Sequence, residues 1–233
     1  MHGAMRIPEV SQRDRFVRRA LTQRCVFAVD GDDGLACVAC SGNPGVDVTL
    51  LWSNECEAQR WADVLASNPR VRKLPLDELL SDVLPKLSEL NRLVGLDWST
   101  DPIECKVDPN DLANRLRHEG MEAFLQRIRL NTSVWTLEDA DGPALLVATH
   151  QPNRLMLACW ASRAEAEKRL ERAWSGMIAV EIPLHNFVEA TLPWLIEQNW
   201  LVAPGYSPGG DVVEVSPLDL VRRLEPESFA KSA

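Results

Sequence analysis

The stretch PLDELLSDVLPKL (residues 75–87) returns as PLHNFVEATLPWL (residues 183–195), with Pro75-Leu76 matched by Pro183-Leu184 and Leu84-Pro85 by Leu192-Pro193 at an offset of 108 positions. Working outward, the same offset carries Trp52 to Trp160, Glu57-Ala58 to Glu165-Ala166, Asp33-Gly34 to Asp141-Gly142, Val26 to Val134 and Phe16 to Phe124 on one side. On the other it carries Leu93-Val94 to Leu201-Val202, Val107 to Val215, Pro109 to Pro217, Asp111-Leu112 to Asp219-Leu220 and Arg115-Leu116 to Arg223-Leu224. A fixed register that includes punctuating prolines and glycines is the mark of an internal repeat. The chain therefore reads as a tandem duplication, with a first unit at 11–118, a second at 119–226, and terminal tails at 1–10 and 227–233. Between Gly34 and Trp52 the best match slips by one, Val38-Ala39 facing Val147-Ala148, which predicts loops of unequal length around Asn43-Pro44-Gly45 and Pro143.

One copy serves to read both. Phe16, Val17, Ala20 and Leu21, and in the second copy Met121, Phe124, Leu125 and Ile128, sit at helical spacing and predict an opening helix. Short apolar runs follow at 25–29, 35–40 and 48–52, and at 134–138, 144–149 and 155–160; the first two of each set are separated by an aspartate-glycine turn, and the three read as an antiparallel meander. Ser53 and Ser162 stand where they can cap the next helix, with Glu55, Glu57 and Glu165 in its first turn. After a short strand at 71–74 (178–182), Pro75 and Pro183 open an apolar helical stripe that contains Pro85 or Pro193, so the helix kinks there or two short helices meet. Two more strands and a helix started by Asp108-Pro109 or Ser216-Pro217 complete the unit, and residues 115–120 form a short junction. The expected fold class is α+β: two tandem copies of about 105 residues, each a small antiparallel sheet with interspersed helices, related by a pseudo-two-fold.

The bulk chemistry excludes more than it assigns. With 233 residues, 45% hydrophobic and 25% charged, the chain has the composition of an ordinary globular protein. A formal charge of −9 disfavours nucleic acid and acidic membranes as partners. Residues 1–24 run against this balance, with Arg6, Arg13, Arg15, Arg18, Arg19 and Arg24 against Glu9 and Asp14; this is a solvated helix face or a contact for an acidic partner. The absence of a signal-peptide core or a long apolar run predicts a cytoplasmic protein with its six cysteines reduced.

No motif names a reaction. Cys37-Val-Ala-Cys40 has the spacing of a redox or metal pair, but it lies in a predicted strand, where residues three apart point to opposite faces, and no further ligands accompany it. With the slip, its counterparts are Leu146 and Thr149. His2, His118, His150 and His185 are scattered, and the glycines of the YSPGGD stretch (residues 206–211) make a turn rather than a phosphate cradle. The shared acids, Glu57 with Glu165 and Asp111 with Asp219, fall in first helical turns, where the helix dipole accounts for them. Catalytic, cofactor and metal residues are accordingly assigned to none. Eight tryptophans against one tyrosine make aromatics the candidates for binding: Trp52 with Trp160, and Trp98 with Tyr206 beside the variable turn.

In the second copy Trp135, Asp141-Gly142, Trp160, Pro183-Leu184, Phe187, the stretch from Leu192 to Leu195, Val202, Pro204, Val215, Pro217 and Leu220 together resemble the bacterial family known as domain of unknown function 2750. The first copy looks like a diverged member, with Lys86 at the position of Trp194 and Leu96 at that of Pro204. The resemblance implies a compact domain of about a hundred residues with no assigned activity or cofactor. The favoured function is a non-enzymatic binding or interaction module, in its specific form an antagonist or regulator of a protein partner. The alternative is an enzyme or small-molecule binder with a site in the groove between the two repeats.

Overall fold

The computed structural model describes residues 7–31, 34–40, 42–65, 70–99, 104–170, 174–207 and 212–224. The chain divides into two compact units that part between Gly120 and Met121.

The first unit opens with helix α1 (Ile7–Gln23), followed by strands β1 (Cys25–Gly31), β2 (Gly34–Leu35), β3 (Cys37–Ala39) and β4 (Asp47–Leu51), helix α2 (Glu55–Leu65) and strand β5 (Arg70–Pro75). Next come α3 (Leu76–Glu78), a π-helical turn (Leu79–Val83), α4 (Leu84–Glu89), β6 (Leu93–Leu96), β7 (Lys106–Val107) and α5 (Pro109–Asn131). The second unit repeats the series as β8 (Ser133–Asp139), β9 (Gly142–Pro143), β10 (Leu145–Val147), β11 (Leu155–Cys159), α6 (Arg163–Glu167), β12 (Ile178–Pro183), α7 (Leu184–Asn186), a π-helical turn (Phe187–Thr191), α8 (Leu192–Glu197), β13 (Leu201–Pro204) and α9 (Pro217–Leu224). The α+β class stands. Residues 115–120 are not a linker, because α5 runs through them; apart from His118 and Gly120 they are good helix formers.

In the first unit β2 and β5 flank β1, both antiparallel, while β3, β4, β6 and β7 lie side by side with β4 parallel to β6. The parallel pair is what the intervening α2, β5, α3 and α4 make room for, since parallel neighbours need a long crossover. Phe27 and Trp52 exchange two backbone hydrogen bonds of 2.7 and 2.8 Å, which join β1 to the end of β4 and make the two sheets one surface. Alternate residues then face opposite layers. Val26, Ala28, Leu51, Leu74, Val94 and Leu96 pack under α1, the proline-containing helix and the first half of α5. Phe27, Val29, Val48, Leu50 and Trp52 face α2 through its Ala58 and Ala62.

The second unit keeps the same register: Ser133 opposite Pro183, Met156 opposite Leu201, and Trp135 bonded to Trp160 at 2.8 Å both ways. The expected one-residue slip is absent. Cys37 pairs with Thr49 and Leu145 with Leu157, so the offset stays at 108 through the hairpin and both loops have one length. The counterparts of Cys37 and Cys40 are therefore Leu145 and Ala148, and the conservative Val-Ala match that suggested a slip was fortuitous.

Backbone exceptions recur at the same offset. Arg24 and Thr132, then Asn91 and Asn199, hold φ between 53° and 58° just after helices, the left-handed position that ends them. The proline question resolves as a widened turn. The Leu84 N–H reaches the Leu79 carbonyl, and Leu192 reaches Phe187, five residues back. That opens the helix where the ring of Pro85 or Pro193 would otherwise crowd the carbonyl four residues before it.

Packing around β6 differs between the copies. A Cβ on Gly95 would come to 2.5 Å from Leu50 Cδ2 and 3.0 Å from the Trp98 indole, whereas the second copy has Ala158, Ala203 and Tyr206 at these places. Gly95→Ala is expected to cost roughly 1–3 kcal/mol by overpacking, and Leu50→Ala is expected to recover part of it. Urea denaturation of the two single variants and the double variant checks this; costs that simply add would refute it.

Candidate functional site

A cleft of about 400 Å³ in the first unit is lined by Pro8, Ser11, Gln12, Arg15 and Arg19 of α1, Asn54 and Glu57 at the start of α2, and Asp97 and Ser99 after β6. The α1 residues fall at successive turns, forming a stripe beside the one that buries Phe16, Val17 and Ala20. One helix thus supplies core and cleft wall together.

The floor is a hydrogen-bonded knot. Gln12 is 5% exposed, and its Nε2 donates to the carbonyls of Leu96 at 2.6 Å and Asp97 at 2.8 Å. The Asp97 carboxylate accepts the Ser53 N–H at 2.6 Å on one oxygen and the Ser53 hydroxyl at 2.8 Å on the other. Asp97 holds φ at 47°, a left-handed conformation that its short polar side chain tolerates better than most. Burial raises the Asp97 pKa above its ordinary value of 3.8, against the lowering effects of the Ser53 hydrogen bonds and of the Arg15 and Arg19 charges.

Arg15 and Arg19 are exposed and form no hydrogen bond or ion pair among the described residues. They lie one turn apart, so their side chains are neighbours. Glu57 is already held by Arg60 at 2.7 Å. The arrangement contrasts with the second copy, where Arg127, the counterpart of Arg19, is spent on a two-pronged pair with Glu165 at 2.6 and 2.7 Å. There the positions of Gln12, Arg15, Ser53 and Asp97 hold Gly120, Ala123, Ala161 and Gly205. Four polar groups that meet at one place in the first copy are thus replaced by glycine or alanine in the second.

The remaining N-terminal arginines separate. Arg13 bonds Asp14, with contacts of 2.8 and 3.0 Å, Arg24 pairs with Asp77 at 2.8 Å, Arg18 is exposed outside the cleft lining with no side-chain partner among the described residues, and Arg6 lies outside the described residues. Of the aromatic candidates, Trp52 and Trp160 are buried at 0% and 1% exposure, and their indole N–H groups donate to the carbonyls of Trp98 at 2.9 Å and Tyr206 at 3.0 Å. Trp98 is itself buried and donates to Cys105 O at 3.1 Å, while Tyr206 is half-buried against Trp174. These four residues hold the ends of strands rather than line the cleft, although Trp98 directly follows Asp97. Cys37 and Cys40 are half-buried in and just after β3. Burial pushes the Cys105 thiol up to about 11 and the Cys159 thiol up as well, so neither is a nucleophile at neutral pH.

Sequence reading passed over Gln12, Ser53 and Asp97. Ser53, expected as a helix cap alongside Ser162, is not one: the cap of α2 is Asn54, whose Oδ1 accepts the Cys56 N–H at 2.8 Å, and Asn54 is the true counterpart of Ser162. The available signal was a difference between copies, polar against small, at four positions; comparing shared residues hides it.

With fold and cleft described, the chain is defined as a duplicated α+β protein with a polar cleft in its first copy. The family described as Protein of unknown function (DUF2750) matches residues 13–116 and again 121–224, and the chain belongs to that family. No curated protein matches the sequence. Among solved structures, Anabaena Tic22, a protein described under protein transport, is similar at 12% identity, covering 91% of this chain and 98% of its own, with a TM-score of 0.25. Tic22 from Plasmodium falciparum is similar at 8% identity, covering 78% of this chain and 96% of its own, with a TM-score of 0.26. Scores this low do not equate the folds. No helix among the described residues is long and apolar enough to cross a membrane.

Asp97 gives a direct test of the cleft's electrostatics. Its folded pKa lies above the unfolded one, so its contribution to stability is greatest below about 3.8 and falls as pH rises through the raised folded value. A carboxyl-carbon NMR titration should place Asp97 above the ordinary aspartate range. Arg15→Ala or Arg19→Ala should move it higher still, because each removes a charge that favours the carboxylate. A fall in either variant would contradict the geometry.

Proposed function

We propose that this chain is a non-enzymatic interaction module that binds a protein partner, and that the cleft of the first unit is its contact point. The observation that carries the reading is the convergence of Gln12, Arg15, Ser53 and Asp97 at one place, against Gly120, Ala123, Ala161 and Gly205 in the copy that keeps the same fold. Polar groups that the fold does without are candidates for recognition, since a buried polar network costs stability unless every member is satisfied.

Binding suits the chemistry better than catalysis. Both oxygens of the Asp97 carboxylate are engaged by Ser53, which holds the group in place rather than poising it to take a proton from a substrate. Two guanidiniums at the rim, without an ion pair among the described residues, favour an acidic feature of the partner, and the −9 charge of the whole chain penalises acidic surfaces that lack a local match. An antagonist or regulator that covers an acidic feature of its partner is the specific form of this reading.

Co-purification from the native host tests it. The unaltered chain should recover a stoichiometric partner, Arg15→Glu with Arg19→Glu should lower the recovery by more than about tenfold, and Arg127→Gln in the second copy should leave it unchanged. Repeated recovery of the unaltered chain alone, or a partner retained by the double variant, would refute the proposal.

A further inference from the structure

We infer that the group this cleft holds is a single carboxylate, clamped between Arg15 and Arg19 and supplied by an aspartate or glutamate side chain or by a chain end; the inference rests on the proposed reading of the cleft as the binding site. Arg15 and Arg19 stand one helical turn apart on α1 with no hydrogen bond or ion pair among the described residues, so two planar donor forks face the same opening. Guanidinium forks match the paired oxygens of a carboxylate, and neighbouring side chains one turn apart can each bond one oxygen or share both.

Charge selects the monoanion. Among the described lining residues, Glu57 is balanced by Arg60 at 2.7 Å, which leaves Arg15 and Arg19 against the Asp97 carboxylate and a local excess near +1. A carboxylate neutralises that excess. A phosphate dianion overshoots it and meets Asp97 with twice the like charge that a carboxylate brings. Size agrees: about 400 Å³ admits a carboxylate with the few atoms that carry it. Ser11 and the Asn54 side-chain NH2 on the same lining supply polar groups for the amides next to that carboxylate.

The second copy shows the same helix without the clamp. Arg127 is locked to Glu165 by two hydrogen bonds, and Ala123 stands where Arg15 would be. In the first copy Glu57 pairs with Arg60 instead, so Arg19 lacks that partner, and Arg15 stands beside it where the second copy has Ala123.

The test is an NMR titration of the full isotope-labelled chain at constant ionic strength with four probes. These are N-acetylglutamate α-amide, which carries only a side-chain carboxylate; N-acetylglycine, which carries only a chain-end carboxylate; inorganic phosphate; and acetamide as the neutral control. One or both carboxylates should shift the Arg15 and Arg19 Nε–H signals and the Ser53 amide saturably. The tighter of the two identifies the source. Phosphate should bind several-fold more weakly and acetamide should leave the signals in place. Arg15→Gln or Arg19→Gln should weaken carboxylate binding by about tenfold, and Arg127→Gln should leave it unchanged. Saturation should also move the Asp97 titration to higher pH, which a purely structural role for the arginines would not produce. No saturable shift from either carboxylate below ~100 mM, or phosphate binding tighter than both, overturns the inference. A partner that is lost with the Arg15→Glu, Arg19→Glu chain while free carboxylates fail to bind sinks this inference alone. A partner retained by that chain sinks the binding reading as well.

Discussion

The indole of Trp52 ties three pieces of the first unit together. Its backbone exchanges hydrogen bonds with Phe27 and so joins the two sheets, its ring fills the layer under α2, and its N–H holds the carbonyl of Trp98 at the exit of β6. Trp160 does the same with Trp135 and Tyr206 in the second unit. Two turns of the cleft sit directly beside this tie: Ser53 and Asn54 follow Trp52, and Asp97 and Ser99 flank Trp98, while Gln12 of α1 bonds the carbonyls of Leu96 and Asp97. Replacing the buried indole by a smaller ring removes both apolar contact and a donor, leaving a carbonyl unsatisfied.

The two copies differ in opposite ways. The first has polar groups on and beneath α1, and it has Lys86, Ser88 and Asn110 on its outer helices, with Asn110 Nδ2 donating to Ser88 Oγ at 2.7 Å. The second has Trp194, Ile196 and Leu218 at those outer positions, exposed by 39%, 46% and 46%. Neither set of changes touches the register of strands, the π-helical turn before the proline or the left-handed residues that end helices. Those features belong to the fold, and the divergent ones are free of it.

Much of the architecture was legible because it is written in residues with strong local consequences. Pro75 and Pro85 with their partners, the aspartate-glycine turns and the apolar stripes gave the order of elements and the repeat. The widened turn ahead of Pro85 was readable as a disturbance but not as a π-helical turn, since the choice among kink, break and bulge depends on packing of Leu79, Leu80 and Val83. The parallel partnership of β4 with β6 was equally hidden, because no local signal distinguishes it. The cleft was nearly invisible. Gln12, Ser53 and Asp97 are unremarkable residues separated by up to 85 positions, and their meaning comes only from a meeting that the sheet arranges. The arginines of α1 drew notice as a charge cluster, yet the structure had to show that Arg13 and Arg24 are engaged while Arg15 and Arg19 have no side-chain partner among the described residues.

The asymmetry between Asp97 and Gly205 also bears on valency. A duplicated chain whose two copies both carried the knot of Gln12, Ser53 and Asp97 would offer two equivalent sites, and could bridge partners or gain avidity from holding one partner twice. With glycine and alanine in the second copy, the duplication is monovalent at this position. Under the proposed reading, such a molecule would occupy one feature of one partner, and its strength there would rest on a single site's affinity, with nothing multiplied by repetition.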